Sequence, residues 1–467
     1  MKILWLLTEI DSAVPSHHAV SLLSALLKNN GHQTSLVEAH RLDMRVLETA
    51  VASEKPDVIA ATAVSQQARF VAEFINHAKR RWPHIHTVLG GTHATFRHEF
   101  IDTVPGLDAQ CTNEGERPFV DYLSALSAGT DLTGIPNMRV RVGGELYGPT
   151  KASYLTEEEM GQLPFEDRLL FQKWAETPRG VPLESKGIRP RFWFSRGCMF
   201  QCTFCAVPGL RKAFPMKRYN RYPTVDRAIA EIEAVADRWT FSTWVADDDV
   251  ISQRKTWLIE FANKYPSRLK HLGWECNLRI ETADEEVLRA FKETNCTLLK
   301  FGLESGSYEY RKHVYKRNIT NEQTEYVFAM ARKHGLRCHT FNIISGPQET
   351  RRDVWKTVRL NQKIKPDRVQ ISIFLPLIGT ELGEAALAQG HVDESVANYF
   401  SEPSVKPDHM FRWEVKLYFR LFRLTVYLGY SPRLAWGEII GLAKWLRDKV
   451  YRKQTRYDLE AATTRTV

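Results

Sequence analysis

The amino-acid sequence predicts an α/β protein with an N-terminal doubly wound parallel sheet, then a partial (β/α)6 barrel, and a helical C-terminal region. Short apolar runs alternate with helix-length stretches in the first part of the chain, and six further strand–helix repeats follow residue 191. The last part has basic and aromatic residues at helical spacing. Strand–helix alternation with short connections favours parallel strands joined by right-handed crossovers.

The composition limits the function classes that the chain could belong to. With 467 residues and 43% hydrophobic residues, it is long enough for two or three ordinary globular domains. The net charge of +9 is spread along the chain without a dense Lys/Arg block, so a nucleic-acid partner is not expected.

The N-terminus predicts a strand and not a targeting segment. Met1–Leu7 is short and is followed by the acidic residues Glu9 and Asp11, which a secretory signal would not have. No run of 18 uncharged apolar residues predicts a transmembrane helix. Seven cysteines, an odd number, do not suggest a disulfide framework, so we expect a cytoplasmic protein.

Residues 1–127 are predicted to form the doubly wound sheet. The ligand site of such a sheet lies beyond the carboxyl ends of its strands. The loops expected there are Thr8–Ser16, Ser65, Gly90–Thr95 and Asn113–Glu116. The predicted strands are Ile3–Leu7, Thr34–Val37, Val58–Val64 and Thr87–Leu89, and the predicted helices are Val20–Lys28, Met44–Ala52 and Ala68–Arg81.

Residues 128–190 are predicted to be a connector, with a hairpin formed by Met138–Val142 and Glu145–Tyr147 around Gly143-Gly144. Residues 191–385 are predicted to form the partial barrel, whose active site would lie at the carboxyl ends of its strands. The predicted barrel strands are Phe192–Ser195, Thr243–Ala246, Gly273–Cys276, Leu298–Phe301, Cys338–Ile344 and Arg368–Ile373, and the helices lie near Thr224–Arg238, Arg254–Lys264, Glu285–Glu293, Glu322–Lys333 and Arg351–Lys363.

Three cysteines after the first barrel strand are the most informative motif. Cys198, Cys202 and Cys205 can bind one face of an iron–sulfur cluster and leave one iron without a protein ligand. Structural zinc requires four ligands, often as two pairs, and no second pair exists. The remaining cysteines occur singly, at Cys111, Cys276, Cys296 and Cys338.

The CxxxCxxC spacing, with Phe204 before the last cysteine, resembles the radical S-adenosylmethionine (SAM) enzymes. The preceding Ser195-Arg196-Gly197 resembles the subgroup with an N-terminal cobalamin-binding domain, and Leu163–Arg168 resembles the segment that leads into its barrel. The resemblance implies that a [4Fe-4S] cluster binds the amino and carboxylate groups of SAM at its open iron. Reductive cleavage of SAM would then give a 5′-deoxyadenosyl radical.

Acidic residues that follow the second and fourth barrel strands are candidates for binding SAM. Asp247 and Asp248 can accept hydrogen bonds from an ammonium group, whereas Asp249 is the best candidate for a solvated acid or a helix N-cap. Glu304 can accept hydrogen bonds from ribose hydroxyls. The alternative for these acids is an ordinary loop position.

Arg279 can form a bidentate pair with a carboxylate, or else a structural ion pair with Glu275 or Glu304. Gly346, with Pro347, resembles the segment that borders the adenine. The resemblance implies that SAM is bound by Phe204, Asp247, Asp248, Arg279, Glu304 and Gly346.

Two elements of the N-terminal region resemble the cobalamin-binding domain of the same subgroup, a Gly-Gly-x-His-x-Thr run and a Gly-Glu pair. The DxHxxG motif of other cobalamin proteins is absent, so His93 is expected to be a loop histidine and not a cobalt ligand. The residues that the resemblance places near cobalamin are Gly90, Gly91, His93, Thr95, Gly115 and Glu116.

Residues 386–467 are predicted to be helical. Arg412, Lys416, Arg420 and Arg423 fall on one helix face, and a second helix is expected over Pro432–Arg452, which contains two tryptophans and further basic residues, Lys449 among them. One interpretation is a cap that closes the open barrel. The other is a surface that contacts a membrane or a lipid-like substrate.

The resemblance implies a cobalamin-dependent radical SAM C-methyltransferase that acts on an unactivated carbon of a small-molecule or lipid-like substrate. It would use an electron donor such as flavodoxin or ferredoxin. One alternative is a radical SAM cyclase, rearrangement or coupling enzyme that does not use its cobalamin-type domain for methyl transfer. Another is a non-catalytic iron–sulfur or zinc scaffold. Methylthiotransfer to tRNA is disfavoured, because the N-terminal region has only Cys111 for a second cluster.

Overall fold

A computed structural model describes residues 1–8, 16–149, 151–216, 219–390, 392 and 404–463, with side chains to residue 447. Most of the predicted Thr8–Ser16 loop, and the side chains of Lys449 and Arg452, therefore lie outside the described residues. The chain divides into two compact units. The first comprises Met1–Leu278, Glu285–Thr297 and Leu377–Ala385, and the second comprises Arg279–Asp284, Leu298–Pro376 and Ala386–Val467.

The first unit contains the N-terminal sheet, with seven strands in the order β2-β1-β3-β4-β5-β6-β7. The first five strands are parallel, and the predicted hairpin adds β6 and β7 antiparallel at one edge. The strands are β1 Lys2–Thr8, β2 Gln33–Ala39, β3 Val58–Thr62, β4 His86–Gly90, β5 Ala109–Cys111, β6 Met138–Val142 and β7 Glu145–Tyr147. The helices are α1 His18–Asn29, α2 Met44–Glu54, α3 Ala68–Arg81, α4 Thr92–Phe96, α5 Phe100–Thr103 and α6 Glu116–Ala128.

This sheet is doubly wound because its central strands are apolar on both faces. Residues 3–8 of β1 are all buried, as parallel strands covered by helices require. One face of the sheet packs against α3. Val71, Phe74 and Ile75 of the helix share a hydrophobic core with Leu4 and Ile59 of the strands. The predicted N-terminal architecture is confirmed.

The connector packs against the N-terminal sheet and the first barrel strand within the same unit. It contains α7 Glu157–Gln162 and α8 Gln172–Ala175. Asp167 accepts hydrogen bonds from Ser24 and Lys28 of α1, at 2.6 and 2.7 Å. Arg168 donates to the carbonyl oxygen of Arg191 and lies over the rings of Trp174 and Phe192. The Leu163–Arg168 segment thus fixes where the barrel begins.

The first three barrel strands also belong to the first unit and are parallel. The predicted first strand, Phe192–Ser195, is too long, because only Arg191–Phe192 pairs as a strand. The backbone amides of Phe194 and Ser195 instead donate to the carboxylate of Asp248. The elements are β8 Arg191–Phe192, α9 Ala206–Ala213, α10 Val225–Arg238, β9 Thr243–Ala246, α11 Lys255–Lys264, β10 Gly273–Leu278 and α12 Glu285–Glu293.

The second unit supplies three more parallel strands, which complete the six that were predicted. The remaining strands and helices are β11 Cys296–Glu304, α13 Tyr308–His313, α14 Asn321–Lys333, β12 Arg337–Ile344, α15 Arg351–Ile364, β13 Arg368–Ile373, α16 Glu381–Ala388, α17 Arg412–Leu428 and α18 Pro432–Thr463. The bounds of β9, β13 and α12 are the predicted ones.

Helix α17 covers β13 and α15 within the second unit. Its inner face contributes Val415, Phe422 and Val426 to a core shared with Val358 and Ile371. The tail therefore has a structural role, because α17 packs against the sheet through β13. No helix in the described part of the chain is long and apolar enough to cross a membrane.

Candidate active site

The three cysteines lie on one loop, residues 198–205, between β8 and α9, which we call the cluster loop. Cys202 is buried, and Cys198 and Cys205 are half-buried. The loop backbone is held from outside: the amide of Met199 donates to Gln253 at 2.8 Å, and Arg211 donates to the carbonyl oxygens of Met199 and Cys198 at 2.9 and 3.3 Å. Helix α9 starts immediately after Cys205, so its positive N-terminal end lies beside the thiols.

The three thiols are close enough to affect one another. Burial raises the pKa of the Cys205 thiol to about 12, and the charges of Cys202, Asp249 and Cys198 add to the shift. Iron ligation would offset the cost of ionising the thiol, since thiolates are the form that binds metal. Among the described residues, no group of three His, Cys, Asp or Glu side chains is placed to hold a single metal ion. The loop provides three thiols within eight residues, a donor set that fits a cluster in which each of three irons takes one thiolate.

The acids after β9 have three different environments. Asp247 forms an ion pair with Arg191. Asp248 is fully buried and accepts hydrogen bonds from the amide and hydroxyl of Ser195, and burial raises its pKa to about 6. Asp249 is half-buried, burial raises its pKa, and its charge acts on Cys205. The two acids predicted to contact SAM, Asp247 and Asp248, are thus paired with Arg191 and Ser195 of the protein. Asp249 is the acid whose charge acts on the cluster loop, at Cys205.

In the second unit, Arg279 and Glu304 are also engaged. Arg279 pairs through two nitrogens with Glu281, an acid that was not considered from the sequence. Glu304 is buried, and its carboxylate accepts from Arg317 at 2.9 Å. Burial raises the pKa of Glu304, and the charges of Arg317 and Arg279 partly oppose that rise. Glu304 also has a φ of 61°, a left-handed conformation that is uncommon outside glycine.

Gly346 lies where two tyrosine hydroxyls leave no room for a side chain. A Cβ atom at this position would be 2.3 Å from the Tyr310 hydroxyl and 2.6 Å from that of Tyr315. Beside it, Glu349 is fully buried and accepts from the amide of Ser345 at 2.5 Å. The loop after β12 is therefore held by a buried polar cluster that the sequence analysis did not identify.

Glu349 makes this loop sensitive to pH. Burial raises its pKa from the ordinary value of 4.5 to about 8. An acid with a raised pKa stabilises the fold fully below the pKa of the unfolded chain, and that stability is lost as the pH rises through the folded-state pKa. We expect Glu349 to make wild-type stability fall between about pH 4.5 and pH 8, and Glu349→Gln, which copies the neutral acid, to remove this contribution. Urea unfolding midpoints across this range measure it, with Glu309→Gln on the surface as the control. An equal pH dependence in Glu349→Gln would contradict the assignment.

The predicted cobalamin residues gather at the carboxyl edge of the N-terminal sheet. Gly91 has a φ of 95° and no space for a Cβ atom beside Thr62 and Ala63, whereas nothing lies within 4 Å of a Cβ atom at Gly90. Thr95 donates to the carbonyl oxygen of Gly91 and accepts from the amide of Asn113, both at 2.9 Å. These bonds join the loops after β4 and β5 into one rim.

That rim contains buried polar atoms that the described residues do not satisfy. Thr8 Oγ1, His93 Nε2 and Asn113 Nδ2 are buried without a hydrogen-bond partner in the described ranges. His93 Nδ1 lies 3.2 Å from the Ser65 hydroxyl, and burial lowers the pKa of His93 to about 4, so the ring is neutral at neutral pH. Buried polar groups are normally paired. Unsatisfied groups from three strand ends are what a polar ligand such as cobalamin would bind, and so the rim fits it.

An acid–arginine cluster joins this rim to the cluster loop within the first unit. It consists of Glu114, Glu116, Arg196 and Arg221. Arg196, two residues before the first cysteine, forms ion pairs with Glu116 and with Glu114, the latter at 3.1 Å. Arg221 donates to both carboxylate oxygens of Glu114, at 2.5 and 3.2 Å, and its backbone pairs with that of Arg196. Glu116, predicted near cobalamin, is thus bound to the barrel side.

Comparison with known proteins identifies two families in the chain. Residues 194–360 match the radical SAM superfamily, and residues 13–123 match the B12 binding domain. The matches coincide with the sheet that carries the cluster loop and with the N-terminal sheet.

The relatives named in the comparisons include methyltransferases and a cyclase. An uncharacterized methyltransferase of Pyrococcus horikoshii is 27% identical over 398 residues, 83% of each chain. The anaerobic magnesium-protoporphyrin IX monomethyl ester cyclase of Rubrivivax gelatinosus is 22% identical, over 88% of this chain and 74% of that protein. Hopanoid C-3 methylase of Methylococcus capsulatus is 25% identical, over 78% and 67%.

Two solved structures share the fold over most of the chain. The radical SAM methyltransferase TsrM from Kitasatospora setae, with cobalamin and a [4Fe-4S] cluster bound, superposes with a TM-score of 0.68 at 16% identity, over 92% of this chain and 91% of that chain. The cobalamin-dependent radical SAM enzyme OxsB, with aqua-cobalamin bound, gives 0.66 at 13% identity, over 95% and 75%.

Proposed function

The chain belongs to the radical SAM enzymes that carry a cobalamin-binding domain, and from this premise we propose that it is a cobalamin-dependent methyltransferase acting on an unactivated carbon. The observation that carries the proposal is the pairing of a three-cysteine cluster loop with a B12 binding domain in one chain. Methyltransferases among the relatives and the solved structures support the reaction class.

The residues of this chain would bind and orient the cofactors. When bound, the [4Fe-4S] cluster supplies the electron that cleaves SAM, and cobalamin carries the methyl group. Cys198, Cys202 and Cys205 would hold the cluster. We propose Asp249 as the acid that accepts from the SAM amino group, because the carboxylates of Asp247 and Asp248 are engaged by Arg191 and Ser195.

Two further residues would bind SAM after a change of partner. Arg279 would bind the SAM carboxylate in place of Glu281, and Glu304 would bind the ribose in place of Arg317. Phe204 and Gly346 would border SAM. The rim residues Gly90, Gly91, His93, Thr95, Gly115 and Glu116 would contact cobalamin, and Glu116 also pairs with Arg196 of the barrel.

The substrate is a small molecule, and the reaction needs a low-potential electron donor of the flavodoxin or ferredoxin class. We propose a lipid-like substrate, since one relative is named a hopanoid methylase. We also propose that the protein is cytoplasmic and contacts the membrane through its C-terminal helices.

Anaerobic reconstitution with cluster, cobalamin, SAM and a reductant tests the proposal. The expected result is cobalamin bound to the purified protein, and formation of both 5′-deoxyadenosine and S-adenosylhomocysteine. A protein that retains no cobalamin, or that forms 5′-deoxyadenosine alone, would contradict methyl transfer. Asp249→Asn should weaken SAM binding more than Asp247→Asn does.

A radical SAM cyclase or rearrangement enzyme is the second candidate, favoured by the similarity to the magnesium-protoporphyrin cyclase. It predicts 5′-deoxyadenosine without S-adenosylhomocysteine, so the same assay separates the two candidates.

A further inference from the structure

Helices α17 and α18 present an apolar surface on the side away from the core. In α17, Val415, Phe422 and Val426 are buried on one side. Trp413 and Leu417 lie on the opposite side and are 63% and 47% exposed. The helix is thus apolar on its outer face as well as on its inner one, which a helix that contacts only water on that side does not require.

The first part of α18 also has exposed apolar residues. Trp436, Ile439 and Ile440 stand at i, i+3 and i+4, so they share a face, and all three are exposed. Ala435 is the residue of α18 that enters the core beside α17. Several large apolar side chains exposed on the same two helices are more typical of an interaction site than singly exposed ones. The C-terminal surface, as we name it, consists of the exposed residues Trp413, Leu417, Leu428, Trp436, Ile439, Ile440 and Leu446.

The charges around the C-terminal surface identify its partner. Residues 411–447 contain seven lysines and arginines and only two glutamates. Both glutamates are already paired, Glu414 with Arg351 at 2.6 Å and Glu438 with Arg423 at 3.1 Å. A second copy of the chain would bring like charges together. Exposed tryptophan among basic residues suits the boundary between anionic headgroups and acyl chains.

We propose that α17 and α18 dock on an anionic lipid bilayer, with the tryptophans in the headgroup region and the basic residues on the phosphates. This inference names the lipid partner of the membrane contact proposed above and rests on that proposal. It depends on no catalytic residue, and none of the surface residues belongs to the cluster loop or to the rim.

Vesicle flotation with the full, anaerobically reconstituted chain tests the inference. We expect the protein to float with vesicles of equal parts phosphatidylglycerol and phosphatidylcholine, and not with phosphatidylcholine alone. Trp413→Ser combined with Trp436→Ser should lower vesicle affinity about tenfold or more. Arg433→Glu and Lys444→Glu should each lower it about fivefold or more, and added salt should weaken binding.

The matched control is Trp355→Ser, because Trp355 is 45% exposed on α15, outside the C-terminal surface. It should float as the wild type does. Equal flotation with neutral vesicles, no flotation, or unchanged flotation of the tryptophan double variant would overturn the inference. A wild-type dimer that becomes monomeric in that variant, without vesicle binding, would assign the surface to a second copy. Formation of 5′-deoxyadenosine is measured in parallel, so that failure of the proposed function is seen separately from failure of membrane binding.

Discussion

Replacing Cys202 with alanine is expected to abolish the cluster and, with it, both 5′-deoxyadenosine and S-adenosylhomocysteine. Cys202 is the most buried of the three motif cysteines, in the middle of the cluster loop. With two thiolates left, the cluster loses a third of its protein ligands, and the loop has no nearby spare cysteine to replace it. Iron and sulfide content, the cluster absorbance and the yields of the two products measure the effect.

Cys338→Ala is the matched control. Cys338 is a buried cysteine on β12, outside the motif, and its loss removes about the same volume. It should keep the iron content and both products at a modest cost in stability. If Cys202→Ala still formed 5′-deoxyadenosine, or if Cys338→Ala lost the cluster to the same extent, the ligand assignment would be wrong.

The regular elements of this protein were predictable where the apolar pattern was long and periodic. Helix α3 and strand β13 have the bounds that the sequence predicted. Strand β5, Ala109–Cys111, was missed because three buried residues are too few to show a period. Strand β8 was predicted too long because its end is set by hydrogen bonds to Asp248, more than fifty residues later.

The candidate site was predictable as far as local motifs reach. The three cysteines are close together in the sequence, and so are the two rim glycines, so their grouping needed no tertiary information. The partners of the charged residues could not be predicted in this way. Arg279 pairs with Glu281, Glu304 with Arg317, and Glu116 with Arg196 eighty residues later. Alternation of apolar residues carries no signal for such pairs, because it specifies which face is buried and not which charges meet there.

Breaking the acid–arginine cluster at Glu114 is expected to give the largest loss of stability. Glu114→Ala leaves the guanidinium groups of Arg196 and Arg221 without their shared carboxylate. Both side chains are largely buried. Removing one partner of a buried ion pair costs about 3–5 kcal/mol, because the charge left behind is unpaired. The free energy of unfolding in urea measures the loss, and Glu158→Ala, at an exposed position of α7, should change it by no more than about 0.5 kcal/mol.

The pH dependence separates an ion pair from simple packing. Burial by itself would raise the pKa of Glu114, but Arg196 and Arg221 outweigh it, and the net pKa is lowered. A lowered pKa means that the stabilisation is complete above the ordinary glutamate pKa of 4.5 in the unfolded chain, and is lost as the pH falls through the folded-state value. Wild type should therefore lose stability in acid more steeply than Glu114→Gln. Equal acid dependence of the two would mean that Glu114 acts through its shape alone.

Glu114→Ala should also reduce binding of the iron–sulfur cluster. Arg196 is two residues from Cys198, and its guanidinium is held by Glu114 and Glu116 of the cobalamin rim. Without Glu114 the start of the cluster loop loses one of its two anchors, so we expect less iron incorporated per chain under reconstitution at a temperature where the variant stays folded. Arg221→Lys, in a chain that keeps Glu114, should cause part of the same loss, because lysine cannot pair with both oxygens of Glu114 as arginine does. Full iron incorporation in folded Glu114→Ala would show that the acid–arginine cluster stabilises the fold without positioning the cysteines.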